Sequence, residues 1–563
     1  MPTLNWIGKD AVVKHHTRVP YRLLTPVAAQ SAGEADSGNL IVQGDNLLAL
    51  KALLPRYAGQ VKCIYIDPPY NTGNEGWAYN DNVNSPEIRR WLGEVVGKEG
   101  ETLDRHDRWL CMMYPRLMLL KQFLREDGVI FVSIDDDEVH HLRALMDELF
   151  GTKRRLATFV WRTDGNFDNQ AKIKNCHEYV LAYASNPDLF PHPPVVDPSV
   201  GKGSKLNRAH IQNTIVKNGP KNPVSSVVLP VGFPASVDSA TIRARSDQWP
   251  HYATDATIVE GKLASAVTVS SGWSSKAILQ KFIDSGFQPV PDSKGQSTRF
   301  VVTGTGAIES VKDRDQASHV ITVIGGVGST QSQSTALSEM GFSFPFPKPV
   351  DLVRYLVSMI QGDDFLVLDS FAGSGTTAHA VLKLNSEDGG NRRFILVEMD
   401  EGIAKNVTAE RVRRVAGGYA NAKGEAVPGL GGGFQFCTLG KPLFDARGRI
   451  DPEVRFAELA RFVWFAETGL GRPLRRRRAD APDIASPLLG VHEGRAIYLL
   501  YNGILKDRSI EGGNVLTTPL LDALPPHAGP KVIYAARSAI AEPRLRALGI
   551  IFKQLPYRLR VLP

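Results

Sequence analysis

Residues 365–377 read FLVLDSFAGSGTT, an apolar run that ends in an acid and passes through a turn of small residues into a helical pattern. This order of strand, glycine loop and helix is typical of a nucleotide site in a doubly wound α/β sheet. Gly373 and Gly375 let the backbone approach a ligand closely, because glycine has no Cβ atom. No Gly-Lys-Ser/Thr follows, and the third glycine of a dinucleotide fingerprint is missing, so neither of those sites is predicted.

The next predicted strand, FILVEMD at 394–400, ends in acids. An acid at the tip of the second strand suits hydrogen bonds to a ribose diol, which favours Glu398 and leaves Asp400 as the alternative. Both acids also fit a plainer role, because a carboxylate at this position can cap the following helix.

Upstream of the glycine loop, the stretch FPFPKPVDL at 344–352 leads into a helical pattern over 350–360. This proline-rich entry can form one wall of the ligand site, with Lys348 as a contact for a ligand carboxylate. On spacing alone, an ordinary helix start explains the segment equally well.

A second motif lies far from the first, where VKCIYIDPPY at 61–70 is an apolar run that ends in Asp-Pro-Pro-Tyr. Because proline fixes φ, the strand delivers a carboxylate, a rigid carbonyl and an aromatic face to one point. This set suits methylation of an exocyclic amine on a flipped base, with Asp67 and the Pro68 carbonyl accepting its N–H bonds and Tyr70 stacking on the ring. A Pro-Pro turn beside a surface Asp is the simpler interpretation.

With both motifs, the chain resembles the amino-group DNA methyltransferases. Asp-Pro-Pro-Tyr precedes Phe-Ala-Gly-Ser-Gly, which is the β-type order, and the chain resembles the modification subunit of type III restriction–modification systems. LIVQGDNL at 40–47 and HEYVLAY at 177–183 also match segments of that family. The resemblance implies methyl transfer from S-adenosylmethionine to a base in double-stranded DNA. Asp rather than Ser or Asn at position 67 favours N6 of adenine.

The resemblance also implies three groups of site residues. The catalytic group is Asp67, Pro68, Pro69 and Tyr70. The group near the target base or DNA is Asp45, Asn71, Tyr79 and Asn80. The group that binds S-adenosylmethionine is Lys348, Asp369, Phe371, Ala372, Gly373, Ser374, Gly375, Thr376 and Glu398. Two alternatives stay open: methylation of cytosine N4, and a DNA-binding scaffold of a defence complex whose catalytic site is inactive.

Pattern and composition divide the chain into five regions around one doubly wound, mostly parallel, seven-stranded-type methyltransferase sheet. We expect a leader, the catalytic half of the sheet, an insertion, the cofactor half and a small α/β C-terminal domain, at 1–38, 39–190, 191–343, 344–415 and 416–563. The insertion is rich in Ser, Gly, Thr, Val and Pro. The resemblance implies that it is the target-recognition domain, and that the C-terminal domain serves dimerisation or subunit docking.

Composition is compatible with a DNA-binding protein but does not require one. The 563 residues carry a net charge of +7, and basic residues cluster at 202–221 and at 472–478. The four cysteines show no metal-ligand spacing, and we expect no metal. No long apolar stretch or secretory leader is present, so we expect a cytoplasmic protein without membrane contact. A homodimer and a restriction subunit with helicase and nuclease activity are the expected partners.

Overall fold

The computed structural model of the chain has two compact units. The first comprises residues 1–191 and 321–563, and the second comprises residues 192–320. The structure describes residues 3–33, 37–72, 105–163, 172–201, 203–207, 210–293, 295–313, 317–445, 447–471, 486–501 and 514–555.

The first unit is built on a ten-stranded sheet, whose strands we number in chain order. They are β1 (Arg22–Pro26), β2 (Leu40–Gln43), β3 (Val61–Ile66), β4 (Leu124–Ile134), β5 (Arg155–Arg162), β6 (His177–Ala184), β7 (Val323–Ile324), β8 (Leu366–Asp369), β9 (Arg393–Glu398) and β10 (Gln435–Pro442). Across the sheet their order is β1-β10-β2-β9-β8-β3-β4-β6-β5-β7.

This sheet confirms the predicted doubly wound α/β fold. The neighbours from β10 to β4 run parallel, whereas β6 is antiparallel to both β4 and β5. The seven strands from β2 to β5 form the predicted core of the sheet, and β1, β10 and β7 extend it at its edges. The central strands are apolar and buried at nearly every position, as expected for a parallel sheet that is covered on both faces.

Two groups of helices pack beside the sheet. In one group the helix Asn46–Tyr57 contacts Arg105–Phe123, which in turn contacts Val139–Leu149. In the other, the helix Thr376–Asp388 contacts Val350–Ser358 and Glu410–Gly417. Further helices of this unit are Thr330–Glu339, Phe456–Thr468, Thr518–Ala523 and Glu542–Ala547. Among the described residues, none of the helices combines the length and the apolar composition that crossing a membrane requires.

The order of the strands brings the two sequence motifs together. Strand β8 lies between β9 and β3, so the carboxyl ends of these parallel strands meet at one edge. Asp369 ends β8, Glu398 ends β9, and Asp67 follows directly after β3. Open α/β sheets bind ligands at this edge, where the chain order reverses.

The second unit is antiparallel and has a hydrophobic core of its own. Three small sheets join the strands Ser225–Leu229, His251–Tyr252 and Val267–Ser271; Ala240–Ile242, Ala256–Val259 and Lys262–Leu263; and His210–Thr214, Val290–Pro291, Ser297–Val302 and Ile308–Asp313. One helix, Lys276–Asp284, buries Phe282 in this core. The unit is shorter than the predicted insertion, because β7 pairs in parallel with β5 and residues 321–343 belong to the first unit.

The C-terminal region also belongs to the first unit. Strand β10 joins the main sheet, and the Phe462 ring of the helix Phe456–Thr468 lies 4.8 Å from the Tyr21 ring. A separate four-stranded sheet follows, formed by Leu488–His492, Arg495–Leu499, Lys531–Ala535 and Ile550–Gln554. The small α/β arrangement that the sequence predicts is therefore present, and several of its residues belong to the hydrophobic core of the first unit.

Candidate active site

One cavity of about 750 Å³ joins the two motifs. The Asp-Pro-Pro-Tyr turn forms one side, the glycine loop another, and the proline-rich stretch before the helix Val350–Ser358 a third. Its lining residues are Tyr65, Asp67, Pro68, Pro69, Tyr70, Thr72, Glu178, Thr330, Phe344, Pro345, Phe346, Pro347, Lys348, Asp369, Phe371, Ala372, Gly373, Ser374, Thr376 and Thr377. Of the residues predicted to be catalytic or to bind the cofactor, Gly375 and Glu398 are absent from this wall.

The Asp-Pro-Pro-Tyr turn is held by hydrogen bonds at its middle and at its two end residues. Trp109 donates from Nε1 to the Pro69 carbonyl oxygen over 2.7 Å, which anchors the middle of the turn. The Tyr70 hydroxyl lies 2.9 Å from Asp67 Oδ1 and 2.9 Å from Glu178 Oε2. The Asp67 carboxylate is 24 % exposed towards the cavity, so it remains accessible to a ligand.

Lys348 lies beside these carboxylates, next to the predicted catalytic acid. Its Nζ is 3.2 Å from Asp67 Oδ1 and 3.4 Å from Glu178 Oε2, and it sits 4.5 Å from the centre of the Tyr70 ring. Burial lowers the pKa of this ammonium, but the attraction of Asp67 and Glu178 outweighs burial and leaves the pKa raised. Lys348 is therefore a charged partner of Asp67, and its contact with a ligand carboxylate stays a prediction.

Tyr70 stays protonated in this environment. Burial and the neighbouring charges of Asp67 and Glu178 raise the pKa of the Tyr70 hydroxyl well above its ordinary value. A neutral phenol has one donor hydrogen, which Asp67 or Glu178 accepts here, and its ring lines the cavity.

The glycine loop has the backbone conformation that its sequence predicts. Gly373 and Gly375 have φ values of 49° and 82°, in the left-handed region that favours glycine. A Cβ atom at Gly373 would lie 3.2 Å from Phe344 Cζ, so the loop and the proline-rich wall approach each other closely here. Thr408 donates a 2.6 Å hydrogen bond to the Gly373 carbonyl oxygen from behind.

The acids of the cofactor half are buried and held by the backbone. Glu398 accepts from the Gly373 amide at 2.8 Å and from the Asp400 amide at 3.0 Å. Asp369 accepts from the Phe371 amide at 2.9 Å and from the Thr377 hydroxyl at 2.5 Å. Burial is the main cause that raises the pKa of each acid to about 7. Glu398 thus supports the loop directly behind the cavity wall.

Asp400, the alternative ribose contact, has a different role. Its Oδ1 accepts from the Ile403 amide at 2.7 Å, so the side chain caps the helical turn that begins at Glu401. Neither acid lines the cavity, so the ribose contact of Glu398 stays a prediction.

Two charged side chains at the cavity and its glycine loop were not among the predicted site residues. Glu178 lies on β6, and only the 177–183 match to the family pointed to its neighbourhood. Arg411 is fully buried behind the glycine loop, where Nη1 donates to the Ser374 carbonyl, the Ser374 hydroxyl and the Thr376 hydroxyl. Burial lowers the pKa of Arg411 to about 9. Nothing in the local run ERVRR distinguishes this arginine from its neighbours.

Of the residues predicted near the target base, the two that the structure describes both bond to other groups of the protein. Asp45 caps the helix Asn46–Tyr57 by accepting from the Leu48 amide at 2.9 Å, and it lies 3.4 Å from Arg116 Nη2. Asn71 is fully buried, has φ 63° and donates to Glu138 Oε1 at 2.5 Å. Tyr79 and Asn80 lie outside the described residues. Direct contacts from these residues to DNA therefore remain predictions.

Glu138 is the centre of a small His-rich cluster beside Asn71. Its two oxygens lie 2.6 Å from His106 Nδ1 and 3.0 Å from His141 Nδ1. The ligand atoms of these three residues all lie within 4.8 Å of one another, a spacing that could hold a metal ion. Because the cluster already accepts a hydrogen bond from Asn71, it also explains how the turn after Tyr70 is fixed.

Comparison with protein-family models places this site in a known context. The model of the N6/N4 DNA methylase family matches residues 61–410, more than half of the chain. The chain belongs to this DNA methylase family. The matched range begins with β3 and includes both motifs. It therefore contains all the residues that line the cavity.

Curated relatives of this DNA methylase are similar over most of its length. It is 32% identical over 444 residues to the type III restriction–modification enzyme EcoPI Mod subunit of Escherichia phage P1, which covers 72% of this chain and 65% of that protein. It is 29% identical to the StyLTI Mod subunit of Salmonella typhimurium, over 72% of this chain and 60% of the relative. The methylase thus spans less than two thirds of both relatives.

Among solved structures, this DNA methylase aligns with PvuII DNA methyltransferase, which is cytosine-N4-specific, over 68% of this chain and 93% of that one. The two share 12% identity, and a TM-score of 0.30 is too low to support any conclusion.

Proposed function

We propose that this DNA methylase transfers a methyl group from S-adenosylmethionine to N6 of an adenine that has been flipped out of double-stranded DNA. The observation that carries the proposal is the shared cavity, in which Asp67 and Tyr70 face the glycine loop at Gly373. A site for a base amine and a site for a nucleoside cofactor must meet in one space for such a transfer.

The residues on the cofactor side fit S-adenosylmethionine. A volume of about 750 Å³ is within the usual range for a cofactor pocket. The left-handed residue Gly373 places backbone at the wall, and the Glu398 carboxylate accepts from its amide. When bound there, S-adenosylmethionine supplies a methyl group that is already activated for transfer.

The protein acts on the base by position and charge. The adenine amine is a poor nucleophile, because its lone pair is delocalised into the ring. Asp67 and the Pro68 carbonyl can accept its two N–H bonds, which directs the lone pair towards the methyl group. The Tyr70 ring provides a stacking surface for the extruded base. Asp at position 67 supports adenine N6 over cytosine N4, by resemblance to the adenine enzymes of the family.

We further propose that residues 192–320 read the target sequence, in keeping with the predicted target-recognition domain. This unit carries exposed basic side chains at Lys217, Lys221 and Arg243. Its Trp249 is 43% exposed and stacks on His251 with ring centres 3.7 Å apart, a surface suited to base or sugar contacts. The named relatives are Mod subunits, which supports a restriction subunit as partner and a role in restriction–modification. A homodimer is part of the same proposal.

The test is to incubate the protein with unmethylated double-stranded DNA and isotopically labelled S-adenosylmethionine, and to digest the DNA to nucleosides. We expect the label in N6-methyl-2′-deoxyadenosine. Label in N4-methyl-2′-deoxycytidine would assign the alternative base, and cofactor binding without any labelled nucleoside would contradict the proposal. Failure to bind S-adenosylmethionine would favour the inactive scaffold.

A further inference from the structure

The hydrogen bonds around Tyr70 contain more acceptors than the hydroxyl can serve. Asp67 Oδ1 and Glu178 Oε2 both lie 2.9 Å from the Tyr70 oxygen. A phenol has one hydrogen, and an ionised carboxylate has none to give. One additional proton on either carboxylate would complete a continuous chain from Asp67 through Tyr70 to Glu178. The carboxylates therefore have a place for one more proton, and amine methylation releases one.

We propose that Glu178 receives the proton that leaves the target amine, with the Tyr70 hydroxyl as carrier. This inference rests on the proposed function. As N6 forms its bond to the methyl carbon, the donor's leaving group keeps the electron pair of the bond that breaks. One N–H bond of the amine then breaks, its electron pair stays on N6, and the proton passes to Asp67. Tyr70 takes that proton while giving its own to Glu178.

This transfer leaves the charges balanced. At its end Asp67 is ionised again, Tyr70 is neutral and Glu178 is protonated, and no oxidant or reductant is needed. Lys348 lies close to both carboxylates: its ammonium is 3.2 Å from Asp67 and 3.4 Å from Glu178, and it attracts a negative charge on either one. The raised pKa of Tyr70 agrees with a carrier that never remains deprotonated.

The acceptor lines the same cavity as Asp67. The Glu178 side chain is 20 % exposed there. Glu178 does not touch the base in this scheme and acts through Tyr70, so it is a positioning residue for the proton rather than a catalytic residue.

The test compares Glu178→Gln, Glu178→Asp and Tyr70→Phe with the unchanged protein. Single-turnover methylation of DNA is measured as a function of pH, with S-adenosylmethionine affinity as the check on folding. Glu178→Gln and Tyr70→Phe should each lower the rate constant by at least about tenfold at unchanged cofactor affinity, the scale of a lost proton acceptor. Combining them should cost no more than either alone, because both lie on one path.

The chain offers a matched control one residue along β6. Tyr179 donates a 2.8 Å hydrogen bond to Asp136 outside the cavity, so Tyr179→Phe removes a similar pair and should change the rate less than about twofold. Glu178→Asp should recover part of the rate and keep the fall in rate on acidification, which Glu178→Gln and Tyr70→Phe should both weaken.

Two results would overturn the relay. One is a Glu178→Gln enzyme with the rate and pH profile of the unchanged protein. The other is a slow Glu178→Gln enzyme whose pH profile is unchanged and whose rate Glu178→Asp does not recover, because Glu178 would then be structural. An unchanged protein that does not methylate DNA would instead refute the proposed function.

Discussion

The acidic side chains in the two halves of the cavity have opposite environments. On the catalytic side, the carboxylates of Asp67 and Glu178 are partly exposed and interact with side chains, namely Tyr70 and Lys348. On the cofactor side, Asp369 and Glu398 are each 2% exposed and accept from backbone amides. Acidic side chains are therefore accessible to a ligand in one half and hold the backbone of a loop in the other.

This difference predicts which property each half controls. Changes on the catalytic side should alter the rate of methyl transfer and leave the cofactor bound. Changes on the cofactor side should alter affinity and stability, because the loop is held by buried groups.

The largest effect is expected for Asp67→Ala. Removal of the acceptor for the base amine should lower single-turnover methylation by at least about a hundredfold, while S-adenosylmethionine affinity stays within about threefold. Quenched-flow methylation and calorimetric titration measure the two quantities. An equal loss of affinity and rate would show that the two halves are not separate.

Gly373→Ala tests the cofactor half. A side chain at φ 49° is strained, and its Cβ would meet Phe344, so S-adenosylmethionine affinity should fall by about tenfold or more. The control is Gly389→Ala, which has φ 72° but open space around its Cβ position. This variant should lose stability and keep its affinity in the same titration. Equal affinities for the two variants would contradict the role of the loop.

The buried acid Glu398 should make stability depend on pH. Burial raises the pKa of Glu398 from 4.5, its value in the unfolded chain, to about 7 in the folded protein. Its contribution to the free energy of unfolding is therefore fully present below pH 4.5 and is lost as the pH rises through about 7. The free energy of unfolding of the unchanged protein should fall between about pH 5 and pH 8. In Glu398→Gln, this fall should be smaller by on the order of 2 kcal/mol. Urea unfolding at both pH values measures this. The exposed Glu387→Gln is the control, and an unchanged slope would contradict the burial of a titrating acid.

The smallest effect concerns the wall between the halves. Phe346 is 81% exposed and has φ 50°, a conformation that is costly for a bulky side chain. Phe346→Asn should raise the free energy of unfolding by about 0.5–1 kcal/mol, since Asn tolerates left-handed backbone. Ile321→Asn is the control, because it removes an exposed apolar side chain at a residue that lacks the left-handed backbone conformation. It should not raise the free energy of unfolding. Unfolding by urea distinguishes the two, and equal changes would exclude strain at Phe346.

The same comparison explains what the sequence could predict. The meeting of Asp67 with the Gly373 loop follows from local patterns, because parallel strands place their carboxyl ends at one edge of a sheet. The contact of Lys348 with Asp67, and the arrival of Glu178 on an antiparallel strand, depend on how distant segments pack. Arg411 could not be found for the same reason, since its partners lie in another helix and loop. Asn71, predicted to lie near DNA, is buried because it anchors the turn to Glu138.

The most direct test of the central claim is a map of modified adenines. Unmethylated genomic DNA is treated with S-adenosylmethionine and either the unchanged protein or Asp67→Ala, then sequenced by a method that detects N6-methyladenine. The shared cavity predicts N6-methyladenine within one sequence context for the unchanged protein and none for Asp67→Ala. Equal modification by both proteins, or modification of cytosine alone, would contradict it.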